Sequence, residues 1–503
     1  MPMIRRKGRA SLSHPRNSYF GPRVLLIAGV TMLALALAGG AHAQEAGEPA
    51  VAMPFTGRWA DDPQDIVSTV ASRAPELLSR YIRIDSTNPP ANELEGARFL
   101  AGLLQAEGIS PRVLESDPGR ANVYARLEGS GKRRPILLLS HIDVVPADPE
   151  EWSGQPYNGD IRDGVVYGRG ALDCKGVGIV ELLAMAALKR AGARLDRDVV
   201  FLATAEEETG GQLGAGWVVS EHPELVRDVE FVINEGGFIH RGEQMPLIYN
   251  INAAEKAPCW FRLHAQGEPG HASRPPQETA VTRLVEALHR LSTWRLPIEV
   301  GPIVEGYYEA YSEIDPRNAR SYRNLARTLE KDHDFRRAFL SDPGAAALVR
   351  DTLTPTVLRG SSKTNVVPAS AWAEVDSRLL PGHACDRFLA AVRERIGDSH
   401  VRVDPTGVAF PATQSPIGNE FTMAIGRTAM KEATSAVVLP GLLTGFTDSH
   451  WFRERGIASY GFVPIDVTAE QRQAIHGPDE NVDAAALERG VHRLVDILRE
   501  LSR

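Results

Sequence analysis

The strongest constraint on the fold is a set of short, unbroken apolar runs separated by helix-length segments. "RPILLLS" (134–140), "DVVFLAT" (198–204) and "VEFVINE" (229–235) each read as a strand buried on both faces. Between the first two lies "CKGVGIVELLAMAALKRAG" (174–192), an apolar helix with a glycine near its end. A second helix is expected over 210–222. Strands alternating with helices predict an α/β fold, a mostly parallel sheet with helices on both faces.

The pattern changes near 253. "CWFRLHAQGEPGHAS" and "AWAEVDSRLLPG" alternate as strands of a half-covered sheet, with charged helical stretches between them. The sequence thus predicts an inserted α+β domain over 253–410, splitting the first domain into 60–252 and 411–503. "GIASYGFVP" reads as a further strand of the first sheet. The terminal helix sets Leu487, Val491, Leu494, Leu498 and Leu501 on one face.

The first 23 residues carry Arg5, Arg6, Lys7, Arg9, Arg16 and Arg23 without an acid. An apolar run over 24–38 and the small residues Ala41 and Ala43 come next. This is the layout of a signal peptide over 1–43, with a leader over 44–60. The run is short for a span, which needs about 20 residues. An uncleaved N-terminal anchor is the alternative. Both put the body of the protein outside the cytoplasm, in a periplasm or secreted. A net charge of -8 on 503 residues is mild and gives no argument for nucleic acid as a partner, so none is expected. Three cysteines, Cys174, Cys259 and Cys385, allow one bridge but no disulfide framework, and none has the spacing of a thiolate zinc site.

In parallel α/β sheets, sites form at the carboxyl ends of strands. Those ends carry His141 and Asp143 ("HIDVVP"), the run Glu206, Glu207, Glu208 ("AEEETGG") and Glu235 ("NEGG"). Asp173 precedes the 174–192 helix, and His476 stands among turn residues in "AIHGPDE". Each residue alone has an ordinary explanation: Asp173 as a helix cap, His476 as a surface histidine, Glu235 as a solvated acid. Together, two imidazoles and several carboxylates at one sheet edge suit two Zn²⁺ ions, with Co²⁺ or Mn²⁺ able to replace them. The excess of carboxylate suits a pair of ions about 3.5–4 Å apart sharing one ligand.

The ordered set "SHIDVVPAD", "GRGALDCKG", "AEEETGG", "NEGG", "GHAS", "TNVVP", "DSR", "TDS" and "IHGPDE" resembles the zinc metallopeptidase family of glutamate carboxypeptidase, carboxypeptidase S, aminoacylase and succinyl-diaminopimelate desuccinylase. The resemblance runs from about 80 to 500 and is greatest to the carboxypeptidase S and N-acyl-amino-acid hydrolase branch. It implies that His141 and Glu235 ligate one metal, that Glu208 and His476 ligate the other, and that Asp173 bridges. Asp143 would orient His141, and Glu207 would be the general base. The resemblance also implies that 60–252 and 411–503 form the catalytic domain and that the insert over 253–410 is its lid; His271 of the lid would stabilise an oxyanion, while Asn365 and Arg378 would hold substrate, Arg378 by its carboxylate. The reaction implied is hydrolysis of an amide or peptide bond beside a free carboxylate, on a small peptide or N-acyl amino acid. A dipeptidase of the same fold and a catalytically silent solute receptor are the other readings. Relatives pair through the lid, so a homodimer is possible. The sequence departs from the family at Glu206 and Asn234, where Asp is common, which leaves Glu206 without a role and favours Glu235 as ligand. Cys174 is either a small structural residue or a redox-sensitive neighbour of the metals.

Overall fold

The computed structural model describes residues 63–242 and 245–502. The signal peptide and leader expected over 1–60 lie outside them. Among the described residues no helix is long and apolar enough to cross a membrane.

The main sheet is entered by the hairpin β1 (Pro111–Asp117) and β2 (Arg120–Leu127). It continues with β3 (Ile136–His141), β4 (Val199–Thr204), β5 (Phe231–Asn234) and β6 (Ile248–Glu255). The chain then builds a smaller sheet from β7 (Ala257–Gln266), β8 (Thr352–Arg359), β9 (Ser370–Leu379) and β10 (Val401–Ala409). It returns to the main sheet with β11 (Val437–Leu443) and β12 (Ala458–Gly461). Strand β3 runs parallel to β4 and β5, β12 to β5, and β11 to β6, while β1 and β2 add an antiparallel edge. The expected α/β class, a mostly parallel sheet with a separate α+β sheet, is what the chain forms.

The apolar runs are buried throughout because both faces of the sheet are covered. Ile136 and Leu138 face a core with Val177, Val180 and Leu494. Leu137 and Leu139, one residue out of phase, face a second core with Val218, Val219 and Phe452. The helix α1 (Lys175–Arg190) and the terminal helix α2 (Ala484–Leu501) cover the first face, and Leu487, Val491, Leu494, Leu498 and Leu501 of α2 are all buried there. The helix expected over 210–222 is shorter. Residues Glu207–Thr209 form one 3-10 turn, Gly210 and Gly211 take positive φ, and the helix runs only over Ala215–Glu221.

The smaller sheet is half-covered, as its alternation requires. Phe261, Leu263, Ala373 and Val375 point into a third core with Leu284 and Leu389 of two flanking helices. Cys259 of β7 is bridged to Cys385 at the start of one of them, across a Cα–Cα distance of 5.4 Å.

The span expected to be one insert, 253–410, divides by packing. The five helices between 302 and 348 leave the small sheet. Their residues Ile303, Val304, Tyr308, Leu325, Leu329 and Phe339 join the main core, and the first of these helices lies across β11. Strand β11 is a sheet margin with an apolar face, and covering it buries surface that would otherwise meet water. The neck of this helical run is closed by Glu299 N donating to Val349 O at 2.8 Å and by Lys256 Nζ donating to Ala347 O and Arg350 O at 3.1 and 2.8 Å.

Candidate active site

Parallel pairing brings the acidic and imidazole residues to one edge. His141 ends β3 opposite Thr204 at the end of β4, and the glutamate run begins two residues later. Asn234 ends β5, and Glu235 is next. Asp173 comes from the loop before α1, and His476 comes from the loop between the short helix Ala469–Gln473 and the strand Asn481–Asp483.

Asp173 is the centre of the cluster. Its Oδ1 lies 2.9 Å from His141 Nε2, and its Oδ2 lies 3.0 Å from His476 Nε2. Glu235 Oε1 is 3.7 Å from the same His141 nitrogen, and Glu208 Oε1 is 3.2 Å from the same His476 nitrogen. Ligand atoms of His141, Asp173 and Glu208 all lie within 4.8 Å of one another, as do those of His141, Cys174 and Glu235. Each imidazole therefore pairs with one outer carboxylate, and Asp173 stands between the two halves.

The ring of His141 is fixed by Asp143, chiefly through the main chain. Its Nδ1–H donates to the Asp143 carbonyl at 2.9 Å, while the Asp143 carboxylate is 3.5 Å away. A carbonyl only accepts, so Nδ1 carries a proton, and Nε2 is the ring nitrogen turned towards Asp173 and Glu235. The fully buried Asp143 carboxylate instead accepts from Glu207 N and Glu208 N, both at 3.1 Å, and from Asn88 Nδ2 at 2.9 Å. It pins the glutamate loop against the end of β3.

Glu206 takes a structural place. Its φ of 65° turns the chain, and its carboxylate accepts from Leu213 N at 2.6 Å and Thr209 Oγ1 at 3.3 Å. Asn234 likewise turns away from the cluster and donates to Thr447 Oγ1 and Ser449 Oγ at 3.1 and 3.0 Å.

Burial is the main electrostatic fact. It holds the Glu207 carboxyl well above the usual range, with the charge of Glu235 adding to it and His141 partly opposing. Burial, then the charge of Asp173, pushes Glu235 up to about 7. Burial also raises Glu208 against its contact with His476. His476, held by Asp173 and Glu208, is pushed up to about 10. For Asp173 the hydrogen bonds from His141 and His476 outweigh burial and draw it below the usual range. So many buried carboxylates around two imidazoles are a poor arrangement without positive charge, and two divalent cations reverse that balance. The donor set fits such ions: two imidazole nitrogens and three outer or central carboxylates, with Glu208 Oε1 buried and met only by the His476 ring at 3.2 Å.

Four supporting residues escaped the sequence reading. Glu480 is fully buried and accepts from Arg169 Nη1 (2.7 Å), Gly170 N (3.1 Å), Leu172 N (2.8 Å) and Asp173 N (3.1 Å). Arg169 also donates to His476 O at 3.1 Å, so this pair joins the Asp173 and His476 loops. Asn88 reaches Asp143 from a segment before two prolines. Asp448 accepts from Thr204 Oγ1 at 2.8 Å, and burial pushes it up to about 8. Its place in "TDS" is the one signal that pointed towards it.

His271, Asn365 and Arg378 lie outside the cluster. His271 and Asn365 share an exposed two-stranded ribbon, where Ala272 N donates to Asn365 O at 3.0 Å and His271 Nδ1 meets Ser273 Oγ at 2.8 Å. Among the described residues no hydrogen bond or ion pair joins either side chain to the carboxylates. Arg378, on β9, stands where the small sheet meets the main domain, with the ring of Phe446 5.3 Å from its guanidinium carbon.

Comparison with known proteins bears on the family and the fold. The chain is 30% identical to the N-fatty-acyl-amino acid synthase/hydrolase PM20D1 of Xenopus tropicalis over 73% of its length and 72% of that protein. It is 27% identical to aminoacylase-1 of Sus scrofa, over 85% of this chain and 94% of the relative. The fold matches an M20 family metallo-carboxypeptidase of Sulfolobus solfataricus with a TM-score of 0.65, at 19% identity, covering 85% of this chain and 99% of that one. It matches human carnosine dipeptidase 1 with a TM-score of 0.63, at 18% identity, covering 88% and 98%. The pattern of Peptidase family M20/M25/M40 matches residues 137–500, which span β3 to α2 and so every strand end that carries the cluster. On that match the chain belongs to peptidase family M20/M25/M40 and is a metal-dependent hydrolase.

Proposed function

We propose that this protein hydrolyses an amide bond next to a free carboxylate, releasing an amino acid from an N-acyl conjugate or a short peptide. The observation that carries the reading is Asp173 between two imidazoles, each with its own outer carboxylate. His141 and Glu235 would hold one Zn²⁺, Glu208 and His476 the second, and Asp173 both. Such ions, or Co²⁺ or Mn²⁺ in their place, polarise a carbonyl and acidify water.

Glu207 acts as the base. It takes a proton from the attacking water as the new C–O bond forms, and gives it to the nitrogen as the C–N bond breaks. Asp143 holds Glu207 and Glu208 by their main-chain N–H groups and orients His141 by its carbonyl. Arg378 binds the substrate carboxylate, since its planar fork matches two oxygens. Asn365 and His271 hold the substrate carbonyl from the ribbon, and pairing of two chains through the small domain is the arrangement we expect to bring them there. The Cys259–Cys385 bridge supports an oxidising compartment, in keeping with export by the N-terminal segment.

The test is a substrate panel with the zinc- or cobalt-loaded protein. N-acyl amino acids, dipeptides, longer peptides and their C-terminal amides are compared by mass spectrometry of released amino acid. Release from free acids, with amides much poorer and Arg378→Ala removing the difference, is expected. Equal turnover of acids and amides by the wild-type protein overturns the carboxylate requirement.

A further inference from the structure

Arg378 is held from three sides, by groups that come from both parts of the molecule. Its Nε and Nη2 donate to the two carboxylate oxygens of Asp376 at 2.9 and 3.0 Å. This uses one edge of the guanidinium. One ring, Trp260 of β7, lies 5.2 Å from the guanidinium carbon, and a second, Phe446, lies at 5.3 Å. Both distances are those of a cation–π contact. Among the described residues nothing accepts from Nη1, so the terminal edge of the fork, Nη1 with the second N–H of Nη2, is left for a ligand.

The three holding groups are not equivalent. Asp376 and Trp260 belong to the small sheet, as Arg378 does. Phe446 belongs to the loop after β11 in the main domain. That loop is itself fixed to the site: Thr447 Oγ1 donates to Glu255 at 2.7 Å, and Asp448 accepts from Thr204 Oγ1 at 2.8 Å. Phe446 also packs edge-on against Phe410 at 5.2 Å, which limits where its ring can go. The guanidinium therefore has its direction set by Asp376 and its position relative to the strand ends set by Phe446.

We propose that Asp376, Trp260 and Phe446 are positioning residues for carboxylate recognition, holding Arg378 with its terminal edge free and registering it against the main domain. This rests on the proposed role of Arg378 in binding the substrate carboxylate. A long, flexible arginine loses rotamer freedom when it binds; one already held on three sides loses less, and its fork meets the carboxylate in one orientation. Phe446 makes the fork's reach depend on how the small domain sits against the main one.

The test compares kcat/KM for an N-acyl amino acid with that for its C-terminal amide. Removing the Asp376 charge (Asp376→Asn) or the Phe446 ring (Phe446→Leu) should lower the acid-to-amide ratio about tenfold, the equivalent of about 1.4 kcal/mol, through KM for the acid. Phe446→Tyr keeps a ring face and should restore the ratio. A structural role would lower both substrates together and leave the ratio unchanged, and that result overturns the proposal. Arg378→Ala separates the two levels. If it leaves the ratio at the wild-type value, Arg378 does not read the carboxylate and the functional reading fails. If it collapses the ratio while Asp376→Asn and Phe446→Leu do not, only the positioning proposal fails.

Discussion

Replacing Glu480 with Gln should be among the most damaging single changes outside the carboxylate cluster. The carboxylate is fully buried and accepts four hydrogen bonds, three from main-chain N–H groups and one from Arg169 at 2.7 Å. An amide presents one oxygen and one NH₂. Whichever way it turns, its NH₂ faces donors, and the Arg169 charge loses its partner. Breaking a buried ion pair on one side costs about 3–5 kcal/mol, and this figure already contains the unpaired donors. The same loop carries Asp173, so affinity for divalent metal should fall roughly 10–100-fold, the usual cost of losing a ligand's support. Urea unfolding monitored by circular dichroism measures the first effect, and zinc titration against a chromophoric chelator measures the second. Arg169→Met in the Glu480→Gln background removes the stranded charge and should recover part of the stability. A loss below about 1 kcal/mol, the range of an exposed pair, would refute the reasoning.

Three other outcomes rest on the same physics of burial and pairing. Reducing the Cys259–Cys385 bridge, which closes a sequence separation of 126, should lower stability by about 2–5 kcal/mol; the urea midpoints of oxidised and reduced protein compare the two. Glu206→Ala should cost about 1–2 kcal/mol by stranding Leu213 N, while metal stoichiometry by plasma emission stays the same. Asp466 works through pH. Its burial is outweighed by hydrogen bonds from Arg489, Arg241 and Arg493, which hold it below the usual carboxylate range. A depressed folded pKa gives stability that is fully present above the unfolded value, about 3.9, and is lost as pH falls below it. Asp466→Asn should therefore be less stable than wild type at pH 7, and the gap should narrow below about pH 4 in denaturation curves.

Strand ends were legible because three buried runs have one reading in a parallel sheet, and that topology gathers the residues just beyond the runs at one edge. His141, Asp143, Glu207, Glu208 and Glu235 are each within a few residues of such an end. The supports were not legible for the same reason in reverse. Glu480 and Asn88 are polar residues in turn-rich segments, and only the fold turns them inward, so local sequence makes them look solvated. The division of labour within Asp143, carbonyl to His141 and carboxylate to the glutamate loop, depends on atoms rather than on residue type. The helices between 302 and 348 were assigned to the insert because they lie inside its sequence span. The apolar face of the first of them, Ile303, Val304 and Tyr308, has as its partner a strand far along the chain, β11 at Val437–Leu443, which local sequence does not reveal.

The central claim is that Glu207 moves the proton beside a cluster whose residues would hold two metal ions. Glu207→Gln tests it directly, with metal content and turnover measured on the same preparation. The account predicts two metals per chain, as in the wild type, and kcat lower by roughly 10²–10⁴-fold. Near-wild-type turnover with both metals bound would contradict it and remove Glu207 as the base.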